Sequence, residues 1–169
     1  MHDDAQRDYA DALAAVTLIA PMVNNADTKI GILGAAATVL IGAEVRDRSH
    51  VAKVIHHAAS GRGTVALALL AVSGVALAVT MTCLLNALMP RLPNVDFSRF
   101  AFPCLAERTV EELRQLEGGD VIRTEAWIEA HMLSRILVRK YESFRGALLA
   151  ATAAGLTFGG WLVVAPSVR

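Results

Sequence analysis

The chain has 169 residues, of which 54% are hydrophobic and only 19% charged, with a mean hydropathy of +0.45. Soluble domains carry about a quarter charged residues, so an ordinary soluble domain is excluded. The 16 Lys+Arg balance 16 Asp+Glu for zero formal net charge, which removes the basic footprint expected of a nucleic-acid-binding protein.

Almost every charge lies in the first 29 residues, in 44–62 or in 91–145, and the stretches between are nearly bare. The N-terminus, MHDDAQRDYADA, is acidic where a signal peptide is positive, so no cleavable targeting peptide is expected. Cys83 and Cys104 have no CxxC partners and cannot build a disulfide framework.

In chain order, a helix is predicted from about Ala5 to Met22, with Asp3 and Asp4 at its positive end. Pro21 should kink or end it, and Asn24, Asn25, Asp27 and Thr28 then offer acceptors where a second helix begins. Ile30–Ala43 is an apolar run between Lys29 and Glu44, short for a span; with Lys29 snorkelling it gives a first span at about 29–45. Gly34, Thr38 and Gly42 fall four apart, a spacing that suits close helix packing. The 44–62 segment reads as a basic interfacial loop. His50, His56 and His57 within it lack an accompanying ligand set, so a headgroup-facing surface is expected rather than a metal site.

Thr64–Met89 contains no charge over about 26 positions, against about 20 needed to cross the hydrocarbon core. Pro90, Pro93 and Pro103 follow, then Thr109 with Glu112 at capping-box spacing, predicting a short helix to Glu117 before the Gly118-Gly119 stop. Asp120 caps a longer helix in which Ile122, Ala126, Leu133, Ile136, Leu137, Tyr141 and Phe144 recur at helical spacing. No breaker separates it from the last span, 146–165, so one rod of about 65 Å is predicted from Val121 to Val164. In that span Ala147, Ala151, Gly155 and Gly159 form a small-residue ridge, and Trp161 is expected at headgroup level.

The fold class is therefore all-α: an integral membrane helical protein with three transmembrane helices and a cytoplasmic helical insert. The organisation expected is an N-terminal cytoplasmic helix (1–28), a transmembrane hairpin (29–89, spans about 29–45 and 64–89), the insert (90–145) and the last span (146–165). Arg7, Lys29, Arg91, Arg99, Arg135, Arg139, Lys140 and Arg145 on one side outnumber Arg46, Arg48, Lys53, Arg62 and Arg169 on the other. The positive-inside rule then places the N-terminus and 90–145 in the cytoplasm of a multi-pass inner-membrane protein.

The chain has no GxxxxGK[ST], GxSxG, HExxH or paired CxxC, so no catalytic residue, metal site or cofactor is assigned and an enzyme is not expected. Polar residues within the spans are mild (Thr38, Ser73, Thr80, Thr82, Asn86, Thr152, Thr157), and with Glu44 taken as a boundary no intramembrane carboxylate is counted. A transporter is disfavoured on that ground. Arg108, Arg114, Arg123, Arg135, Arg139 and Lys140 form a basic set suited to an anionic ligand, but interleaved glutamates make surface pairs the plainer reading. A ligand bound to this module would move the spans if it preferred one arrangement of them.

The NNADTKIGILG stretch at Asn24–Gly34 resembles the N-x-A-D-x-K segment that opens the first span in transmembrane effectors of Pycsar antiphage systems. HMLSRILVRKYESFR at His131–Arg145 is similar to the Leu-Ser-x-Ile-x-x-x-Lys-Tyr segment of the same family, and the order of elements agrees from about Ala5 to Val164. The resemblance implies a protein activated by cyclic CMP or cyclic UMP from a neighbouring pyrimidine cyclase during phage infection. It would then impair the inner membrane and cause abortive infection. The motif residues carried over are Asn25, Asp27, Lys29, Ser134, Lys140 and Tyr141, as nucleotide ligands or as helix-packing residues. With the basic face, the candidate ligand set is Asn25, Asp27, Lys29, Arg135, Arg139 and Lys140. The partners implied are the lipid bilayer, the cyclic nucleotide and further copies of the chain, with no nucleic acid. Two other readings compete: a membrane anchor or assembly subunit holding a partner enzyme through 121–145, and a holin-like pore that acts without a messenger.

Overall fold

The structure, a computed structural model, describes residues 2–46, 48–56, 60–89 and 119–167, with side chains at 6–46, 50–52, 54–56, 60–89 and 124–167. Four helices and a terminal turn make up these residues: α1 (His2–Arg46), α2 (Arg48–His56), α3 (Gly61–Leu88), α4 (Gly119–Val164) and a 3-10 turn (Ala165–Ser167). No strand occurs among the described residues. Three helical stretches, Gln6–Arg46, Gly61–Leu88 and Thr124–Ser167, are long and apolar enough to cross a membrane. The capping-box helix expected at 109–117 lies outside the described residues, as do Cys104 and His57.

The chain divides into two compact units, Met1–Asp27 with Pro90–Lys140 and Thr28–Met89 with Tyr141–Arg169. In the first, Ala12 and Ala26 of α1 and Ala126 and Ala130 of α4 are buried. Trp127 Nε1 donates to Asp8 Oδ1 at 3.1 Å, and Lys140 Nζ donates to Asp27 Oδ1 at 2.6 Å. These partners ascend together in number, so the two segments run in the same direction.

α1 does not end at Pro21, which lies inside an unbroken helix. Proline lacks the N–H that would bond the carbonyl of Thr17, but one such loss is tolerated where flanking residues hold the helix. No second helix starts at Asn24–Thr28, and Asp27 takes Lys140 as its partner instead of a cap.

In the second unit α1 and α4 run parallel, with α3 antiparallel to both. Ile30 packs with Leu84, Ala87 and Ala147; further along, Ala37 packs with Leu77 and Ala154. Val54 of α2 then joins Ala66, Phe158, Trp161 and Ala165. The buried residues of α3, including Ala66, Ser73, Leu77, Thr80, Leu84 and Ala87, recur in steps of seven, four and three. Ala147, Ala154, Phe158 and Trp161 of α4, with Ala165 of the turn that follows, recur in steps of seven, four and three as well. Such seams mesh side chains between helices, which is what drives helix association in lipid. Outward positions are apolar too: Val39 is 74% exposed, Leu156 73% and Val163 78%. An apolar exterior of this extent fits acyl chains as its surroundings.

One expectation about this unit is corrected. The segment after the first span is partly helical, because Val51 and Val54 fall three apart and turn onto the bundle, where Val54 is buried. α3 is then capped by Ser60, whose Oγ accepts the Gly63 N–H at 3.1 Å. Trp161 is 0% exposed and stacks on Phe158 with centroids 5.6 Å apart, so the ring belongs to the bundle core. Its place on the seam, seven residues after Ala154, puts it inside.

The small-residue ridges pack only in part. A Cβ on Gly34 would meet Leu84 Cδ1 at 3.8 Å, but at Gly42, Gly155 and Gly159 it would meet open space. A repeat of four drifts away from a seam of 3.5, so the ridge leaves the buried face within two turns.

Candidate functional site

Hydroxyls inside the spans are mostly used locally. Thr38, Thr80, Thr82 and Thr152 each donate to the carbonyl four residues back, at 2.8–2.9 Å. This habit lets threonine sit in lipid without an unsatisfied group. Ser73 behaves differently. Fully buried on α3, its Oγ contacts Glu44 Oε1 of α1 and the Ala154 carbonyl of α4, the latter at 3.1 Å. The same carbonyl lies 3.1 Å from Thr157 Oγ1, whose nearer acceptor is Ala153 O at 2.8 Å.

The depth of this node follows from helix rise. Ser73 lies about 13 Å along α3 from Thr64, and Ala154 about 12 Å along α4 from Gly146, at 1.5 Å per residue. A carboxyl reaching that level lies inside the apolar stretch of both helices. The count of no intramembrane carboxylate is thereby corrected: Glu44, half-buried, is drawn inward onto Ser73. Sequence did hold a signal for it. Ile30, Ala37 and Glu44 fall seven apart, so Glu44 occupies the next position of the buried stripe and not merely the end of an apolar run.

The residues singled out by motif separate into pairs. In the first unit Asp27 and Lys140 form the 2.6 Å ion pair, with side chains 40% and 18% exposed. Ser134 Oγ donates to Ala130 O at 2.8 Å, using its hydroxyl within its own helix. Asn25, Arg135 and Arg139 are exposed. In the second unit the Lys29 ammonium lies 5.9 Å from the Tyr141 ring centroid, within cation–π range. The described structure thus closes one motif on the other at Asp27–Lys140 and at Lys29–Tyr141. It does not gather Asn25, Arg135 and Arg139 with them. Side chains of Arg108, Arg114 and Arg123 lie outside the described residues.

Glu129 is a further feature of the first unit. Burial raises its carboxyl above the ordinary value, and Oε2 has no hydrogen-bond partner among the described residues. On α2, His50 is half-buried and His56 exposed.

Three helices long and apolar enough to cross a membrane, joined by a carboxyl–hydroxyl–carbonyl node, with an ion pair between α1 and α4, define a helical membrane protein. The chain belongs to the Pycsar effector protein domain family, which matches residues 11–166. It is therefore a membrane effector of antiphage defence. No curated protein and no solved structure matches the chain.

Proposed function

We propose that the protein is activated by a cyclic pyrimidine nucleotide, cyclic CMP or cyclic UMP from a neighbouring cyclase, and then impairs the inner membrane so that the infected cell dies before phage matures. The observation that carries this reading is the Asp27–Lys140 pair, which joins residues of both family motifs on two helices that continue unbroken as spans. A ligand that competes for Lys140 changes a contact whose helices enter the bilayer. Asn25, Arg135 and Arg139 of the same unit are exposed and available to an anionic nucleotide. The N-terminus and residues 90–145 are cytoplasmic in this reading, where the messenger is made. Further copies of the chain pack on the open face of Gly155 and Gly159.

Expression in bacteria with a membrane-potential dye tests it. Depolarisation on supply of cyclic pyrimidine nucleotide is expected. No response, with a stable partner enzyme recovered on purification, would replace the effector with an anchor; depolarisation without any nucleotide would indicate a constitutive pore.

A further inference from the structure

α1 stops short of its neighbours at one end of the bundle. Ile30 packs at the level of Leu84 and Ala147, and Ala37 at the level of Leu77 and Ala154. Nine residues beyond Ala37, Arg46 ends α1 at the level of Ala68 on the antiparallel α3 and of Val163 on the parallel α4. Arg62, the nearest charge on α3, lies six residues further out, about 9 Å at 1.5 Å per residue. Both neighbouring helices are apolar where Arg46 stands, with Val65 and Val163 exposed. α2 covers part of this step, because Val54 is buried with Ala66 and Ala165, both just beyond that level.

The outward face of α1 leads to the same arginine. Ile32, Val39 and Arg46 fall seven apart and all three are exposed, so an apolar track of about 21 Å ends in a guanidinium. Glu44 turns the other way, onto Ser73. From 46 to 62 the sequence carries Arg46, Arg48, Lys53 and Arg62 against one acid, Asp47. A guanidinium at an apolar level is costly unless its long side chain reaches the headgroups or the headgroups come down to it. A soluble anion matches the guanidinium alone, whereas a phospholipid matches the guanidinium and the track below it. The surplus of cations selects a headgroup of net negative charge over a zwitterionic one.

We propose that this step is a binding site for an anionic phospholipid, its phosphate held by Arg46 and one acyl chain lying along Val39 and Ile32. Arginine suits the phosphate because its N–H groups are presented in pairs. A headgroup held there lies about 9 Å below the level of Arg62, so the leaflet is thinned beside α1. That thinning is what an apolar run as short as Ile30–Ala43 requires. The site belongs to the spans alone and stands whichever messenger acts on the rest of the chain.

Native mass spectrometry of the full chain, released from detergent micelles holding equal amounts of phosphatidylglycerol and phosphatidylcholine, provides the test. The natural chain should keep phosphatidylglycerol several-fold more often than phosphatidylcholine. Arg46→Ala should bring the two to parity, and Arg46→Lys, which keeps the charge without the paired donors, should retain part of the preference. Arg139→Ala, which changes an exposed arginine of the other unit, should leave the preference intact. Detergent unfolding of Arg46→Ala should match that of the natural chain; a shifted curve would make the arginine structural and overturn the proposal. An unchanged preference in Arg46→Ala overturns it too, as does an equal loss in Arg139→Ala, which would mean charge without a site. Displacement of the bound lipid by millimolar inorganic phosphate is the remaining refutation, because the site would then serve a soluble anion.

Discussion

Lys140 has two possible employments, and a double-mutant cycle with Asp27 separates them. The pair is 2.6 Å apart with Lys140 82% covered and Asp27 60% covered, from exposures of 18% and 40%. Fully exposed ion pairs contribute about 0.2–1 kcal/mol, whereas hydrogen bonds to charged groups reach about 1.5–3 kcal/mol. Partial exposure of Asp27 screens the pair, so a coupling of about 1–1.5 kcal/mol is expected, or about a fivefold to tenfold change in an equilibrium. Unfolding in mixed detergent–SDS micelles of the natural chain, Asp27→Asn, Lys140→Gln and the double variant would measure it. The two single changes should together cost more than the double change by that amount. A coupling below about 0.3 kcal/mol would refute the clasp, since that is within the error of additivity for independent sites. The messenger response supplies the second readout. If Lys140 also contacts the anionic nucleotide, Asp27→Asn frees it and lowers the nucleotide needed for half-depolarisation, while Lys140→Gln raises it. If Lys140 only packs, both variants shift the response in the same direction.

Trp161→Ala should cost about 3 kcal/mol, because a fully buried ring stacked on Phe158 is removed. Trp161→Phe should cost much less, as it keeps an aromatic there and discards an indole N–H with no partner among the described residues; equal, negligible effects in detergent unfolding would take the ring out of the core. For Glu129, burial raises the folded value above 4.5, so the fold holds the proton more tightly than the unfolded chain. Its contribution is then fully present in acid and is lost as pH rises from 4.5 through the higher folded value. Glu129→Gln should abolish that slope and stabilise the protein at neutral pH, and melting curves that keep the slope would contradict this. At Gly155 a side chain would meet open space within the chain, so Gly155→Leu should leave unfolding unchanged while reducing cross-linking between copies; unchanged cross-linking would remove this face from any assembly.

The spans were legible because charge is excluded from lipid at several kcal/mol per group, a penalty large enough to write itself into composition. The segments at 64–89 and 146–165 fall within helices of the bundle, and the motif residues Asp27 and Lys140 meet as chemistry would pair them. What was not legible in linear hydropathy was phase. Glu44 ends an apolar run, and a window average can only treat it as the edge; at seven-residue spacing from Ile30 and Ala37 it is the next inward position. Hydropathy is equally silent on the burial of Trp161, which its place seven residues beyond Ala154 on the buried seam explains. Pro21 was misjudged for a different reason: propensity describes the isolated helix, whereas contacts on both sides, Asp8 with Trp127 before it and Asp27 with Lys140 after it, hold this one through the missing bond. In a helical membrane protein, position along the chain tells which residues are in the bilayer and position around the helix tells which of them can act. Glu44 shares its inward phase with Glu125 and Glu129, and differs from them in ending an apolar run.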